Sequence, residues 1–189
     1  MTRDTLVIDI ETKNSFADVG GQFNIHKLEV SFVGVYSYNQ NKYLSFYENQ
    51  LNELASLLQN AGLIIGFSIN RFDIPVLAKH CKFDIYSVPR LDLLDEIELL
   101  LGQRVSLDVL SKTNLNVGKT HHSLEAISLY RDGKLDELRD YCLNDVKLTK
   151  DLYELAKKQG HLLVPKKITG ELVKANFSFR EPLIYQSLF

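Results

Sequence analysis

The chain has 189 residues, 45% of them hydrophobic and 24% charged, with a net charge of −2. That length supports one α/β domain with a sizeable core, and the charge excludes a globally basic nucleic-acid-binding surface. Two cysteines, Cys81 and Cys142, exclude a disulfide framework; with no long apolar run and no signal-peptide core, the expectation is a cytoplasmic protein with no membrane partner.

In chain order, Leu6 to Thr12 reads as a strand buried on both faces. Side chains alternate, so Leu6, Ile8 and Ile10 take one face and Val7, Asp9 and Glu11 the other. Two like charges side by side near a core repel and lose hydration, and a divalent cation turns that cost into attraction. The structural alternative is a strand that ends early, leaving both acids in a solvated loop. A loop rich in turn residues follows, from Asn14 through Gly20, Gly21 and Asn24. Glu29 to Tyr38 and Tyr43 to Tyr47 then read as strands joined at Asn39 to Asn41, a hairpin signal. Leu51, Leu54, Leu57 and Leu58 fall at helical spacing, with Gly62 as the expected stop. Leu63 to Phe67 is a short buried strand.

Ser68 or Asn70 is expected to cap the next helix, with Pro75 in its first turn and Asp73 near its start. Acids at that position commonly serve the helix dipole. Leu91 to Leu94 reads as an edge strand carrying Asp92, and Glu96 to Leu101 as a helix. Ser106 caps a helix running to Thr113; a polar loop spans Lys119 to His122, and Ser123 to Tyr130 is helical. Asp92 and Asp108 are read as capping or surface acids. Leu135 to Gln159 is the longest helix, its core stripe outlined by Leu138, Cys142, Leu148, Leu152 and Leu155. Asp145 falls on that stripe, where a leucine is expected, and a buried carboxylate there needs a cation, an arginine or donors. Gly160 ends the helix. The tail from 161 to 189 reads as a hairpin and an extended end packed on the domain formed by residues 1–160, and Lys166, Lys167, Lys174 and Arg180 against Glu171 and Glu181 leave it positive. The element order implies an α/β fold with a mixed five-stranded sheet and helices on both faces.

Packing the last long helix on the first strand brings Asp9, Glu11, Asp73 and Asp145 to one spot. Two unit charges ~4 Å apart repel by roughly 4 kcal/mol at an effective dielectric near 20, so such a cluster requires cations. Oxygen ligands suit Mg²⁺ or Mn²⁺ rather than zinc. The two cysteines lack zinc-site spacing and read as buried thiols.

Three motifs in order then resemble the DEDD superfamily of 3′–5′ exonucleases, on the ribonuclease H-like fold. Asp9-Ile10-Glu11 matches its D-x-E. Phe72-Asp73-Ile74-Pro75-Val76-Leu77 matches its F-D followed by apolar residues. Tyr141-Cys142-Leu143-Asn144-Asp145 matches the Y-x-x-x-D of the tyrosine branch; the histidine form fails because Asp140 stands where it needs histidine. Nearest in character are the exonuclease domains of family B DNA polymerases and related bacterial ribonuclease H-like proteins, matched from about Leu6 to Tyr153. Those polymerases usually carry asparagine where this chain has Ser68 and Arg71, so the hold on the terminal nucleotide differs.

The resemblance implies two divalent cations. Asp9, Glu11 and Asp145 hold one, Asp9 the second, and Asp73 acts through water. Tyr141 orients the attacking water, and Thr12 contacts the terminal nucleotide through its backbone. Ser68, Asn70 and Phe72 are further candidate substrate contacts, Phe72 with a core position as its alternative. The implied partner is a nucleic-acid 3′ end, DNA ahead of RNA, with a helicase or other repair protein as a candidate protein partner. An RNA exonuclease, a structure-selective endonuclease of the same fold and a non-catalytic nucleic-acid-binding module are the competing readings.

Overall fold

A computed structural model describes residues 3–117 and 125–179. The apolar run at the N-terminus forms β1 (Asp4–Thr12), and its alternation sorts as expected. Leu6, Ile8 and Ile10 join one core cluster and Val7 another, so β1 has a core on each face. β2 (Val30–Ser37) and β3 (Lys42–Tyr47) form the antiparallel hairpin, and β2 lies antiparallel beside β1. β4 (Ala61–Gly66) and β5 (Arg90–Asp92) add in parallel on the other side of β1. The five-stranded order is β3-β2-β1-β4-β5, a mixed sheet with β1 at its centre.

One face of the sheet is covered by α1 (Leu51–Gln59) and α2 (Asp73–Leu77), through Leu51, Leu54, Leu58, Ile74 and Val76. The other face carries α3 (Leu93–Leu101), α4 (Leu107–Leu115), α5 (Glu125–Arg131) and α6 (Leu135–Gln159). α6 is buried along the expected stripe, and Tyr141 and Asp145 lie on its buried side. β6 (His161–Pro165) and β7 (Leu172–Asn176) form a separate hairpin. Leu162, Val164 and Ala175 bury against the cluster formed by α4 and α6, and Asn114 of α4 exchanges two hydrogen bonds with the backbone of Leu163, both 2.8 Å. Among the described residues no helix is long and apolar enough to cross a membrane.

Three local expectations are corrected. α1 ends at Gln59, where the Asn60 amide donates back to the Leu57 and Leu58 carbonyls, and Gly62 already lies in β4. The edge strand stops at Asp92 because that side chain accepts the Leu94 and Asp95 amides and so starts α3 at once. Neither Ser68 nor Asn70 caps α2: its N-cap is Phe72, with no side-chain bond. Lys119, His121 and the rest of the loop to His122, Ser123, Arg180 and Glu181 lie outside the described residues.

Candidate active site

β1 outruns its parallel neighbour. Their pairing ends at Val7 opposite Ile65, so on that side, among the described residues, the rest of β1 has no strand beside it. β4 turns away at Gly66, where a Cβ would lie 2.0 Å from Ile69 and 3.2 Å from the Ile8 carbonyl, so only glycine fits the turn. Asp73, brought round by the following segment, fills the gap: its Oδ1 accepts the Ile10 N–H at 3.2 Å. Openings beyond the carboxyl ends of parallel strands are where open α/β sheets bind ligands.

The opposite side of the site depends on another glycine. Asp9 pairs with Gly34 of β2. A Cβ on Gly34 would sit 3.0 Å from Val146, 3.1 Å from Leu143 and 3.2 Å from the Cys142 sulfur. Its absence lets α6 lie directly on the sheet beside Asp9. The Cys142 thiol is then 3.3 Å from the Asp9 carbonyl and 3.4 Å from Asp9 Oδ2. Asp9, Glu11 and Cys142 offer ligand atoms that all lie within 4.8 Å of one another. One turn of α6 separates Tyr141 from the buried Asp145, and the charges of Glu11, Asp145 and Asp9 all act on the Tyr141 hydroxyl.

Each group's protonation follows from this crowding. Burial, reinforced by the Asp9 charge, holds the Asp73 carboxyl well above the ordinary 3.8. Burial and then the three carboxylates push the Tyr141 phenol above its usual range, so it stays protonated and acts as a donor. Burial, Asp9 and Glu11 push the Cys142 thiol up, which makes it a neutral donor to Asp9 rather than a thiolate ligand. The oxygen-rich set around Asp9 and Glu11 suits a hard divalent cation.

The remaining candidates lie around this centre. Thr12 is buried, its hydroxyl donating to the Asn14 carbonyl at 2.9 Å. Phe72 is half-buried at the rim of the core, edge-on to Phe16 with ring centroids 5.8 Å apart. Ser68 and Asn70 turn toward α3. The Ser68 hydroxyl accepts from Arg104 at 3.2 Å; the Asn70 amide donates to Asp95 at 2.9 Å and accepts from Arg90 at 3.0 Å. The sequence signals the clearance at Gly34 only through a lone glycine inside an apolar strand, and it places Cys142 on the core stripe with no sign of its contact to Asp9.

A family model described as the RNase H superfamily matches residues 6–157, from β1 to the end of α6. The chain belongs to the RNase H superfamily. The family B DNA polymerase of the hyperthermophilic archaeon Pyrobaculum calidifontis shares this RNase H-like fold with a TM-score of 0.63, at 17% identity. The alignment covers 83% of this chain, and the chain spans 25% of the polymerase's length. No curated protein sequence matches. Membership gives the chain an RNase H-like fold.

Proposed function

We propose that this RNase H-superfamily chain is a metal-dependent 3′–5′ exonuclease of the DEDD type, in its tyrosine branch, acting on single-stranded DNA. The observation that carries the reading is the gathering of Asp9, Glu11, Asp73 and Tyr141, with Asp145 one turn along α6, at the open carboxyl end of the central strand. Asp9, Glu11, Asp73 and Asp145 would hold two cations, Mg²⁺ or Mn²⁺, which when bound supply an activated water and charge neutralisation at the leaving oxygen.

The chain's own groups do the rest. Tyr141, kept protonated, donates a hydrogen bond that orients the attacking water. Water adds to the phosphorus of the last phosphodiester, the bond to the 3′ oxygen breaks, the water's proton passes through solvent to that oxygen, and a nucleoside 5′-monophosphate leaves. The Ile10 amide steadies Asp73, and the Cys142 thiol steadies Asp9. The backbone at Thr12 and the ring of Phe72 are the proposed contacts to the terminal nucleotide. A helicase or other repair protein that exposes 3′ ends would supply the substrate.

The test is degradation of 5′-labelled single-stranded DNA and RNA with Mn²⁺, each with a free or a bulky-blocked 3′ end. The reading predicts stepwise shortening of the free-ended DNA and none of the blocked DNA. Internal cuts in the blocked strand would make the protein an endonuclease instead.

A further inference from the structure

We propose that Asp92 is a positioning residue that holds Asp73 at the reaction centre, an inference that rests on the exonuclease reading above. Asp92 is buried at the end of β5, paired with Gly66 at the end of β4. Four backbone amides converge on its carboxylate. Oδ1 accepts from Ser68 at 2.8 Å, Leu94 at 3.0 Å and Asp95 at 3.3 Å, and Oδ2 accepts from Asn70 at 3.0 Å. The bonds to Leu94 and Asp95 are an ordinary helix cap. The bonds to Ser68 and Asn70 reach back 24 and 22 residues to the segment that joins β4 to α2. Capping does not require them.

That segment needs a brace. Ser68 sits at φ 69, a left-handed conformation that a serine keeps only where its surroundings hold it. α2, which Asp73 begins, has five residues and no side-chain cap, so it cannot fix its own position. The segment's polar side chains all turn to α3 and its neighbours. Arg71 pairs with Glu98 at 2.7 Å, Arg104 bridges Glu98 and Ser68, and Asn70 links Arg90 to Asp95. Exposed pairs of this kind hold weakly, whereas charged hydrogen bonds to a buried carboxylate hold firmly. Asp92 thus holds the Ser68 and Asn70 amides, the backbone through Arg71 and Phe72 leads from them to Asp73, and Asp73 Oδ1 accepts the Ile10 amide of β1. Ser68 and Asn70 then serve the site by placing Asp73.

Asp92→Ser separates the two duties, because serine caps a helix well but is too short to brace the distant segment. Amide hydrogen exchange on the whole chain reads the result without reference to activity. The expected outcome is that the Ile10, Ser68 and Asn70 amides exchange about tenfold faster in Asp92→Ser, relative to Val33 of β2 in the same protein. Ser106→Ala, which removes the α4 cap, should leave those ratios unchanged. Mn²⁺ titration by calorimetry should show severalfold weaker binding in Asp92→Ser. If Asp92→Ser does not fold, Asp92→Asn, which keeps the shape and one acceptor oxygen, takes its place with the same expectation. Unchanged Ile10 protection in a folded variant overturns the proposal. A wild-type chain that degrades no nucleic acid overturns the exonuclease reading instead, and the exchange ratios still decide whether Asp92 holds Asp73.

Discussion

Asp73 carries a pH signature that follows from its surroundings. Its carboxyl titrates well above 3.8 in the folded chain because burial and Asp9 disfavour the anion. A raised acid binds its proton more tightly folded than unfolded. The stability it contributes is therefore complete below 3.8 and is lost as pH rises through the folded value. Without metal, Asp73→Asn should remove that part of the decline in Tm toward alkaline pH. Added Mn²⁺ should raise the wild-type Tm more at high pH than at low pH, since the cation needs the anion. A Tm profile that Asp73→Asn does not alter would contradict the account of this residue. In the proposed reaction Tyr141 orients the attacking water, so Tyr141→Phe should lower kcat by roughly 10²-fold, the scale of a misplaced reactant. Mn²⁺ affinity should stay near wild type, and a variant that loses the metal would show that the phenol supports the carboxylates instead. The placement of Tyr141 and Asp145 on the buried side of α6 was legible in the sequence, Asp145 as an acid in a leucine's place and Tyr141 one turn before it.

At the scale of elements, the site is an outcome of how α6 lies on the sheet. The bounds of α6 follow its sequence closely, from Leu135 to Gly160, because a long amphipathic stripe and a left-handed glycine cap leave little freedom. That it docks on the first strand follows from the need to gather the acids, but how closely it can approach does not. The contact between Cys142 and Asp9 spans 133 residues, and the clearance that permits it is the missing side chain of Gly34. Gly34→Ala should wedge a methyl group against Val146, Leu143 and Cys142. Overpacking of this kind typically costs about 1–3 kcal/mol, measurable by urea unfolding, and here it should also reduce nuclease activity beyond the loss of folded protein. Unchanged stability together with unchanged activity would mean that α6 is not seated on this point. The segment from Ser68 to Phe72 was misread for a related reason. Local caps were expected from Ser68 and Asn70, but the acceptor that decides the segment's path, Asp92, lies more than twenty residues along the chain. Short-range propensity carries no information about such a partner.

For the whole molecule, the order β3-β2-β1-β4-β5 explains why one strand can bear the chemistry. β1 is central, flanked by an antiparallel and a parallel neighbour, with α6 packed against it and Asp73 of α2 bonded to Ile10 near its carboxyl end. The hairpin β6–β7 adds Leu162, Val164 and Ala175 to the core beneath α6, and we take it as part of the same folding unit. The fold class could be read from sequence because alternating hairpin, helix and strand signals admit few topologies. The nucleic acid of the proposed reaction could not, because contacts that separate DNA from RNA depend on groups around the 2′ position that no local pattern encodes. The central claim is that Asp9 anchors a hydrolytic metal site. Its most direct test compares Mn²⁺-dependent release of nucleotides from 3′-labelled single-stranded DNA by the wild-type chain and by folded Asp9→Asn. The expected result is release by the wild type and a loss on the order of 10³-fold in the variant, equivalent to several kcal/mol of charge stabilisation. Release by Asp9→Asn at the wild-type rate would contradict it.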